Sequence, residues 1–212
     1  MKFYLKYGII YIALVLGVNL ALDFSWKTLL NFLIVAAIVC LPALVISVLV
    51  RFVPKSIYNP NNKLFNVRKK ENKLYEKLKI RKWKEKVPEA GKLGGFEKDK
   101  LASPKDPEYL RKFLVESCIA EAIHSLSIWW GIFSLIFVNM CVPKAAVFSL
   151  GLPLVFFNVM VHIMPVMIQR YIRPKLMRAL EHVVRMQQRA AAAASRQDAT
   201  TESADLEPVK AD

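Results

Sequence analysis

Residues 106–142 read DPEYLRKFLVESCIAEAIHSLSIWWGIFSLIFVNMCV, and this stretch decides the class of the fold. After a short charged start it stays mostly apolar for more than the roughly 20 residues that a helix needs to cross a bilayer. Asp106 is a good N-cap, and Pro107 suits the first helical position, where no backbone N–H is needed. We therefore predict a helix that begins near Asp106, ends near Val142 and spans a membrane with residues 119–142.

Three ionisable side chains interrupt the apolar pattern and fall on one broad side of this helix: Glu116, Glu121 and His124. Such a group at the centre of a bilayer costs about 2.5–3.5 kcal/mol, so it usually faces protein or a water-filled cavity. One interpretation is a polar site beside the lower part of the helix. In the other, the carboxylates lie among lipid headgroups and His124 only bonds to a neighbouring helix. We favour the site, because three titratable groups share one side.

Composition places the whole chain in the membrane class. Of its 212 residues, 55% are hydrophobic, the mean hydropathy is +0.30, and the apolar residues form long runs, which excludes an ordinary soluble domain. The net charge of +14 lies beside these runs. We therefore expect anionic lipid headgroups or a phosphate-bearing substrate as partners, and no nucleic acid. The three isolated cysteines indicate neither a zinc site nor a disulfide framework.

The sequence predicts an all-α integral membrane protein with about four transmembrane helices. The first apolar run, residues 3–22, also has the basic start of a signal peptide, so whether it is cleaved stays open, although we favour a retained helix. Segments rich in Lys and Arg all fall on one side of this arrangement, which predicts a multi-pass protein of the cell membrane with both termini cytoplasmic. The remaining spans cover residues 29–53, 119–142 and 145–168.

A basic segment separates the second and third spans. In residues 54–112, Lys and Arg outnumber Asp and Glu by more than two to one, and apolar residues recur at helical spacing among the lysines. This pattern predicts a cytoplasmic amphipathic segment on the membrane surface, followed by a glycine-containing loop at residues 91–95. We divide the chain into two N-terminal transmembrane helices (1–53), the basic segment (54–112), a transmembrane hairpin with a C-terminal basic helix (113–189) and a disordered tail (190–212).

The fourth span carries a polar stripe of its own. Four polar side chains and a proline recur on one helix face: Asn158, His162, Pro165, Gln169 and Arg173. Two polar helix faces in an apolar bundle are expected to meet, either to form a site or only to hold the helices together by hydrogen bonds. Depth along the two helices predicts that His124 and His162 lie at similar levels, within reach of each other.

Three blocks of the chain resemble the glycosyl-4,4'-diaponeurosporenoate acyltransferase family of staphyloxanthin-type carotenoid biosynthesis. They are residues 67–86, which end in RKWKEK, residues 116–124 (ESCIAEAIH) and residues 169–176 (QRYIRPKL). The similarity covers roughly residues 58–180. It implies a membrane acyltransferase that moves a fatty acyl group onto a hydroxyl of a lipid-linked glycoside or related lipid.

The implied reaction needs a base, donors for an oxyanion and cations for the phosphates of an acyl-CoA or another acyl donor, which is a co-substrate and not a resident cofactor. His124 suits the base because imidazole titrates near neutral pH, and Glu121 or Glu116 would orient it. Further residues are expected to bind substrate. They are Arg170, Arg173, Arg81 and Lys84 for phosphate, Gln169 and Tyr171 for an oxyanion or sugar, and Asn158 and His162 along the polar stripe.

Two other classes of function stay open at this stage. Glu121 and His124 have the Glu-x-x-His spacing of carboxylate-bridged metal helices, and His162 would add a third ligand to a single metal. A paired metal centre would need a second such motif, which the sequence does not contain. A single metal stays open as the weaker alternative, and our prediction is no metal site. The other class is a non-enzymatic membrane scaffold or a lipid-binding subunit that serves partner membrane proteins in a larger complex.

Overall fold

The computed structural model describes residues 2–87 and 103–205, and the side chains of residue 6 and of residues 8–87 and 103–197. Within these ranges the chain is all-helical and contains no strand, which confirms the predicted fold class. The α-helices are α1 (Lys2–Leu22), α2 (Trp26–Phe52), α3 (Lys69–Lys77), α4 (Ile80–Trp83), α5 (Pro107–Cys141), the short α6 (Lys144–Ala146) and α7 (Leu152–Asp205). Two 3₁₀ turns, Lys55–Ile57 and Lys84–Lys86, and a π-helical stretch, Val147–Gly151, complete the described elements.

Helix α5 begins where its sequence predicted. The Asp106 side chain accepts a hydrogen bond from the Glu108 backbone N–H at 2.9 Å, and Pro107 occupies the first helical position. This bond satisfies one of the backbone donors that a helix leaves unpaired at its start. Ser25 begins α2 in the same way by accepting from the Thr28 N–H at 3.3 Å.

Three of the helices are long and apolar enough to cross a membrane: Trp26–Phe52, Pro107–Cys141 and the continuous helical stretch Lys144–Gln197. Helix α1 is apolar as well over Gly8–Leu22, the part in which its side chains are described without a gap. Large apolar side chains project outward from these helices, among them Leu14, Leu44 and Phe148. An outer surface of this kind suits contact with lipid rather than with water, and the protein is therefore a membrane protein.

Helices α5 and α7 approach closely because one of them carries a glycine at the contact. The Asn158 side chain reaches across from α7 and donates to the Ser127 carbonyl of α5 at 3.0 Å. A Cβ atom at Gly131 would lie only 2.3 Å from Asn158 Nδ2. Small residues at helix contacts allow such close packing in membranes. Helix α5 is also bonded to α2, where Trp130 donates to the Ile38 carbonyl at 2.9 Å.

The two ends of the bundle differ. At one end, polar side chains of α1 bond to the start of the last helical stretch: Tyr11 donates to the Pro153 carbonyl and Asn19 to the Ser149 carbonyl. At the other end, the chain after α2 turns back onto the bundle. There the Tyr58 hydroxyl donates to the Val50 carbonyl at 2.6 Å. The basic segment is thereby folded against α5 and α7.

The helical part of the basic segment is short and bent. Leu74 of α3 and Leu78 after it are exposed, as an amphipathic surface helix requires, while Tyr75 and Ile80 are buried against α7. Lys79 has left-handed backbone angles, φ 54° and ψ 37°, and separates α3 from α4. The predicted glycine loop lies outside the described residues. Helix α7 continues through Asp205, so the domain boundaries, including the tail from residue 190, stay predictions.

The Gly131 contact generates a stability prediction with a matched control. Gly131→Ala should lower stability by about 1–3 kcal/mol, because the added methyl group overlaps Asn158. A methyl group at Gly17 would meet nothing within 4 Å, so Gly17→Ala should be neutral or stabilising by up to about 1 kcal/mol. Thermal unfolding in detergent measures both. Equal melting temperatures for the two variants would contradict the close contact, and adding Asn158→Ala should partly rescue Gly131→Ala.

Candidate functional site

A polar seam, defined here as the polar residues of α5 and α7 that face each other, runs along the contact between these two helices. The two helices are antiparallel, so residues with higher numbers on α7 pair with residues with lower numbers on α5. The predicted meeting of two polar faces is therefore found. The pairs are Asn158 with Ser127, His162 with His124, Arg170 with Glu121, and Arg173 with Glu121 and Ser117.

Glu121 is the charged centre of the seam. Its carboxylate is buried and lies between two guanidinium groups, with Oε1 accepting from Arg170 Nη1 at 2.5 Å. Oε2 lies 2.6 Å from Arg173 Nη1, as an ion pair without hydrogen-bond angles. A single carboxylate therefore faces two cations at the edge of an apolar bundle, where charge pairing is far stronger than in water.

Glu71 of α3 balances this excess of positive charge. The Arg170 guanidinium binds it through two nitrogens, Nε to Oε1 and Nη2 to Oε2, the second at 3.0 Å. The Tyr75 hydroxyl also donates to Glu71. Together the two carboxylates and two arginines of the seam and α3 are neutral, which is the condition for burying charge at acceptable cost.

Arg173 connects the same helix to the backbone before α3. Its side chain is only 1% exposed. One nitrogen donates to the Phe65 carbonyl at 2.7 Å, and another to the Ser117 carbonyl and hydroxyl at 3.2 Å. Arg170 adds weaker bonds to the carbonyls of Leu64 and Asn66. Both arginines were expected to bind phosphate; in the structure their nitrogens bind two carboxylates and the residue 64–66 backbone.

Two buried polar atoms on this face of α7 have no hydrogen-bond partner among the described residues. They are the acceptor Gln169 Oε1 and the donor Arg173 Nε, which lie one helical turn apart. Gln169 is only 4% exposed. Buried polar groups are almost always paired, so these two atoms are available to a bound water or another polar molecule.

The two histidines of the seam touch. His124 Nδ1 and His162 Nδ1 are 2.8 Å apart, and both rings are half-buried. Because a hydrogen bond needs one donor and one acceptor, one ring carries its proton on Nδ1 and the other carries a lone pair there. The predicted proximity of these rings is found. Glu116 lies about 12 Å from His124 along the axis of α5 and is half-buried, so its role stays a prediction.

The remaining predicted site residues separate into two groups. Asn158 uses its amide to bond α5, which is a packing contact. Arg81, Lys84 and Tyr171 line a groove of about 730 Å³ between the α3–α4 segment and α7. Substrate binding by any of these residues stays a prediction.

The geometry bears on the metal alternative as well. Among the described residues, no group of three or more His, Cys, Asp or Glu side chains is arranged to hold a metal ion. Glu121, which would have been one ligand, has both oxygens in contact with arginines. The arrangement is instead a histidine pair beside a neutral cluster of charges.

A comparison with protein-family models identifies the chain. The model of the glycosyl-4,4'-diaponeurosporenoate acyltransferase family matches residues 54–182. The chain belongs to this family. It is therefore an acyltransferase, as the sequence blocks indicated. Searches of the curated proteins and of the solved structures gave no significant match.

The matched residues contain the basic segment, α5 and the part of α7 that forms the seam. Helices α1 and α2 both precede the match. The histidine pair, the Glu121 ion pairs and the groove thus all lie within the part of the chain that defines this acyltransferase family.

Sequence reasoning missed several residues at this site. Glu71 and Ser117 bind the arginines across the fold, and Lys79, Lys82 and Lys175 join the groove. The spacing of Glu71 and Tyr75 by one helical turn was a usable signal for a local contact. The pairing of Glu71 with Arg170 was not readable, because the two residues lie in different helices far apart in the chain.

The Glu71 contact generates a prediction for the basic segment. Glu71→Gln should release α3, since hydrogen bonds to charged partners contribute about 1.5–3 kcal/mol. Limited trypsin digestion of the detergent-solubilised protein should then cleave residues 63–86 faster. Glu76→Gln, an exposed change on the same helix, should leave the rate unchanged.

Lowering the pH should also release α3. The hydrogen bond from Arg170 holds the pKa of Glu71 below its ordinary value of 4.5. The stabilisation is therefore complete above about 4.5 and is lost as pH falls through the lower folded pKa. Because trypsin is inactive in acid, this response is measured with pepsin, and Glu71→Gln serves as the reference for the protease's own dependence on pH. A trypsin digestion rate that changes equally in Glu71→Gln and Glu76→Gln, or a wild-type response to acid no larger than that of Glu71→Gln, would contradict the contact.

Proposed function

We propose that this acyltransferase moves a fatty acyl group onto a hydroxyl of a glycosylated carotenoid or a related lipid-linked glycoside, with His124 as general base. The family's description supports the reaction class and a carotenoid glycoside acceptor. The single observation that carries the assignment of the base is the 2.8 Å contact between His124 Nδ1 and His162 Nδ1. It joins two imidazoles inside an otherwise apolar bundle.

The hydrogen bond between the two histidines determines which ring nitrogen of His124 can act as the base. If His124 donates from Nδ1, its Nε2 carries a lone pair and can accept a proton. Once protonated there, His124 keeps its Nδ1–H bond to His162, and this bond stabilises the imidazolium. His162 then has the role that a carboxylate has in hydrolase triads: it holds the base in one tautomer and orientation. His162 is a positioning residue in this scheme.

The proposed step balances as an acyl transfer. The acceptor hydroxyl loses its proton to His124 Nε2 while its oxygen bonds to the acyl carbonyl carbon. The bond between that carbon and the donor's leaving group then breaks. The proton on His124 returns to the leaving group, which restores the neutral pair. The chemistry requires a hydroxyl and an acyl carbonyl, both brought to the seam by lipid-soluble groups.

Gln169 and the arginines would hold the polar part of the acceptor. The unpaired Gln169 Oε1 can accept from a sugar hydroxyl, and the unpaired Arg173 Nε can donate to one. A sugar offers both kinds of partner, whereas a hydrocarbon chain offers neither. Glu121 is assigned to holding the two arginines, and it no longer serves as the residue that orients His124.

The proposed environment is the cell membrane, with α1 as a fourth span and both termini cytoplasmic. Lys and Arg are concentrated in the N-terminus, the basic segment and the end of α7, which favours that orientation. The turns at Ser25 and Lys144 lie at the opposite end of the bundle from the basic segment, which supports the same arrangement.

Topology can be tested by cysteine labelling in a variant that lacks Cys40, Cys118 and Cys141. Single cysteines introduced at Ser25 and at Lys144 should react with an impermeant thiol reagent added outside intact cells. A cysteine at Lys77 should react only after the membrane is opened. Labelling of the Lys77 position from outside would reverse the proposed orientation.

The base is tested by substitution of each histidine. His124→Ala should lower the rate of acyl transfer about 10²–10⁴-fold, the usual contribution of a general base. His162→Ala should lower it less and change its dependence on pH, because His162 acts through His124. The measurement is formation of acylated glycoside by the full-length protein in lipid nanodiscs, with a carotenoid glucoside and a fatty acyl-CoA supplied.

His182→Ala is the matched control, because His182 is exposed on α7 beyond the seam. It should retain full activity, and all three variants should insert into membranes to the same extent. Full activity in His124→Ala would remove it as the base. Equal loss in His182→Ala would show that the losses are not specific to the seam.

A further inference from the structure

The basic groove, defined as the cavity of about 730 Å³ between the α3–α4 segment and α7, is not used by the proposed acyl transfer. Its volume lies within the range of about 300–1,000 Å³ that small-molecule sites occupy. Its lining contains five cations and two carboxylates, a net charge of 5 − 2 = +3. The cations are Lys79, Arg81, Lys82, Lys84 and Lys175, and the carboxylates are Glu76 and Glu85.

The cations of the groove differ from the arginines of the seam in their partners. Arg170 and Arg173 are matched by carboxylates. Among the side chains that the structure describes, no ion pair joins any of the five groove cations to a carboxylate. Lys175 lies over the Tyr171 ring at 3.6 Å. Like charges gathered around one cavity repel each other, and a bound anion would remove that repulsion.

Lys79, at the rim of the groove, has a strained backbone conformation. It follows the end of α3 with φ 54°, a position where helices usually carry glycine because a side chain is strained there. The turn is fixed by its own bonds, among them Lys82 N–H to the Lys79 carbonyl at 2.8 Å and the Trp83 indole to the Leu78 carbonyl at 3.1 Å. The fold thus holds a strained lysine at the rim of the groove, which points to a role for its side chain.

We propose that the basic groove binds a phosphate-bearing ligand. Lysine and arginine together suit phosphate oxygens, and arginine can bind two of them at once. Ile80, Tyr171 and Ile172 supply an apolar floor for the group that the phosphate carries. The same chemistry fits two sources: a soluble nucleotide-type phosphate such as that of coenzyme A, or the headgroup of an anionic lipid.

The groove and the seam use different faces of α7. Tyr171 and Lys175 line the groove, whereas Arg173 faces α5, roughly 200° away from Tyr171 around the helix. Substitutions in the groove therefore leave the histidine pair and the Glu121 ion pairs intact. The proposed phosphate site does not depend on the proposed acyl transfer, so an experiment can disprove either one without the other.

The soluble source is tested by calorimetric titration of coenzyme A into the full-length protein in phosphatidylcholine nanodiscs, with pantetheine as the probe that lacks phosphate. The lipid source is tested by measuring enrichment of phosphatidylglycerol around the protein in mixed nanodiscs. Each is repeated with Arg81→Gln/Lys84→Gln, with Lys79→Gly and with the control Lys70→Gln, an exposed lysine of α3 that does not line the groove.

The double variant should weaken the bound source about tenfold or more and Lys79→Gly about two- to fivefold, in line with the modest value of single exposed ion pairs. Lys79→Gly should also raise the melting temperature, because it relieves the strained backbone. Coenzyme A binding that depends on the groove identifies the soluble source, and groove-dependent lipid enrichment alone identifies the headgroup. No binding of either source, or equal losses in Lys70→Gln, would overturn the proposal.

Discussion

The carboxylate of Glu121, held between the guanidinium groups of Arg170 and Arg173, fixes the arrangement of everything around it. The three side chains come from α5 and α7, and the arginines extend to Glu71 and to the carbonyls of residues 64–66. Two cations near the interior of an apolar bundle are tolerable only if carboxylates match them. Without Glu121, the basic segment would lose its charged link to α5 through Arg170, and α7 would hold an uncompensated charge.

The proposed chemistry depends on this arrangement through helix register. Once Glu121 faces α7, His124 follows on nearly the same side one turn later, and His162 meets it from the antiparallel helix. Asn158 and Gly131 fix the next level of the seam. The same cluster fixes the turn of the basic segment against α7, so the groove forms on the other face. One set of ion pairs thus positions the histidine pair and, on the other face of α7, the groove that we propose binds phosphate.

Much of this arrangement was readable from local sequence. The start of α5 follows from Asp106 and Pro107, and the meeting of the histidines follows from helical rise and the antiparallel hairpin. Contacts between residues that lie far apart in the sequence could not be predicted. Nothing local shows that Arg170 binds Glu71, or that Asn158 serves packing. The strained turn at Lys79 was hidden as well, because a lysine gives no signal for left-handed backbone.

A double-mutant cycle on Glu121 and Arg173 tests the account most directly. The free energy of unfolding would be measured in detergent for the wild type, Glu121→Gln, Arg173→Gln and the double variant. Each single change should cost about 3–5 kcal/mol, because it leaves a buried charge without its partner. The double variant should cost little more than either single one, a coupling of at least about 2 kcal/mol. Simple additivity of the two losses would contradict the central role of this ion pair.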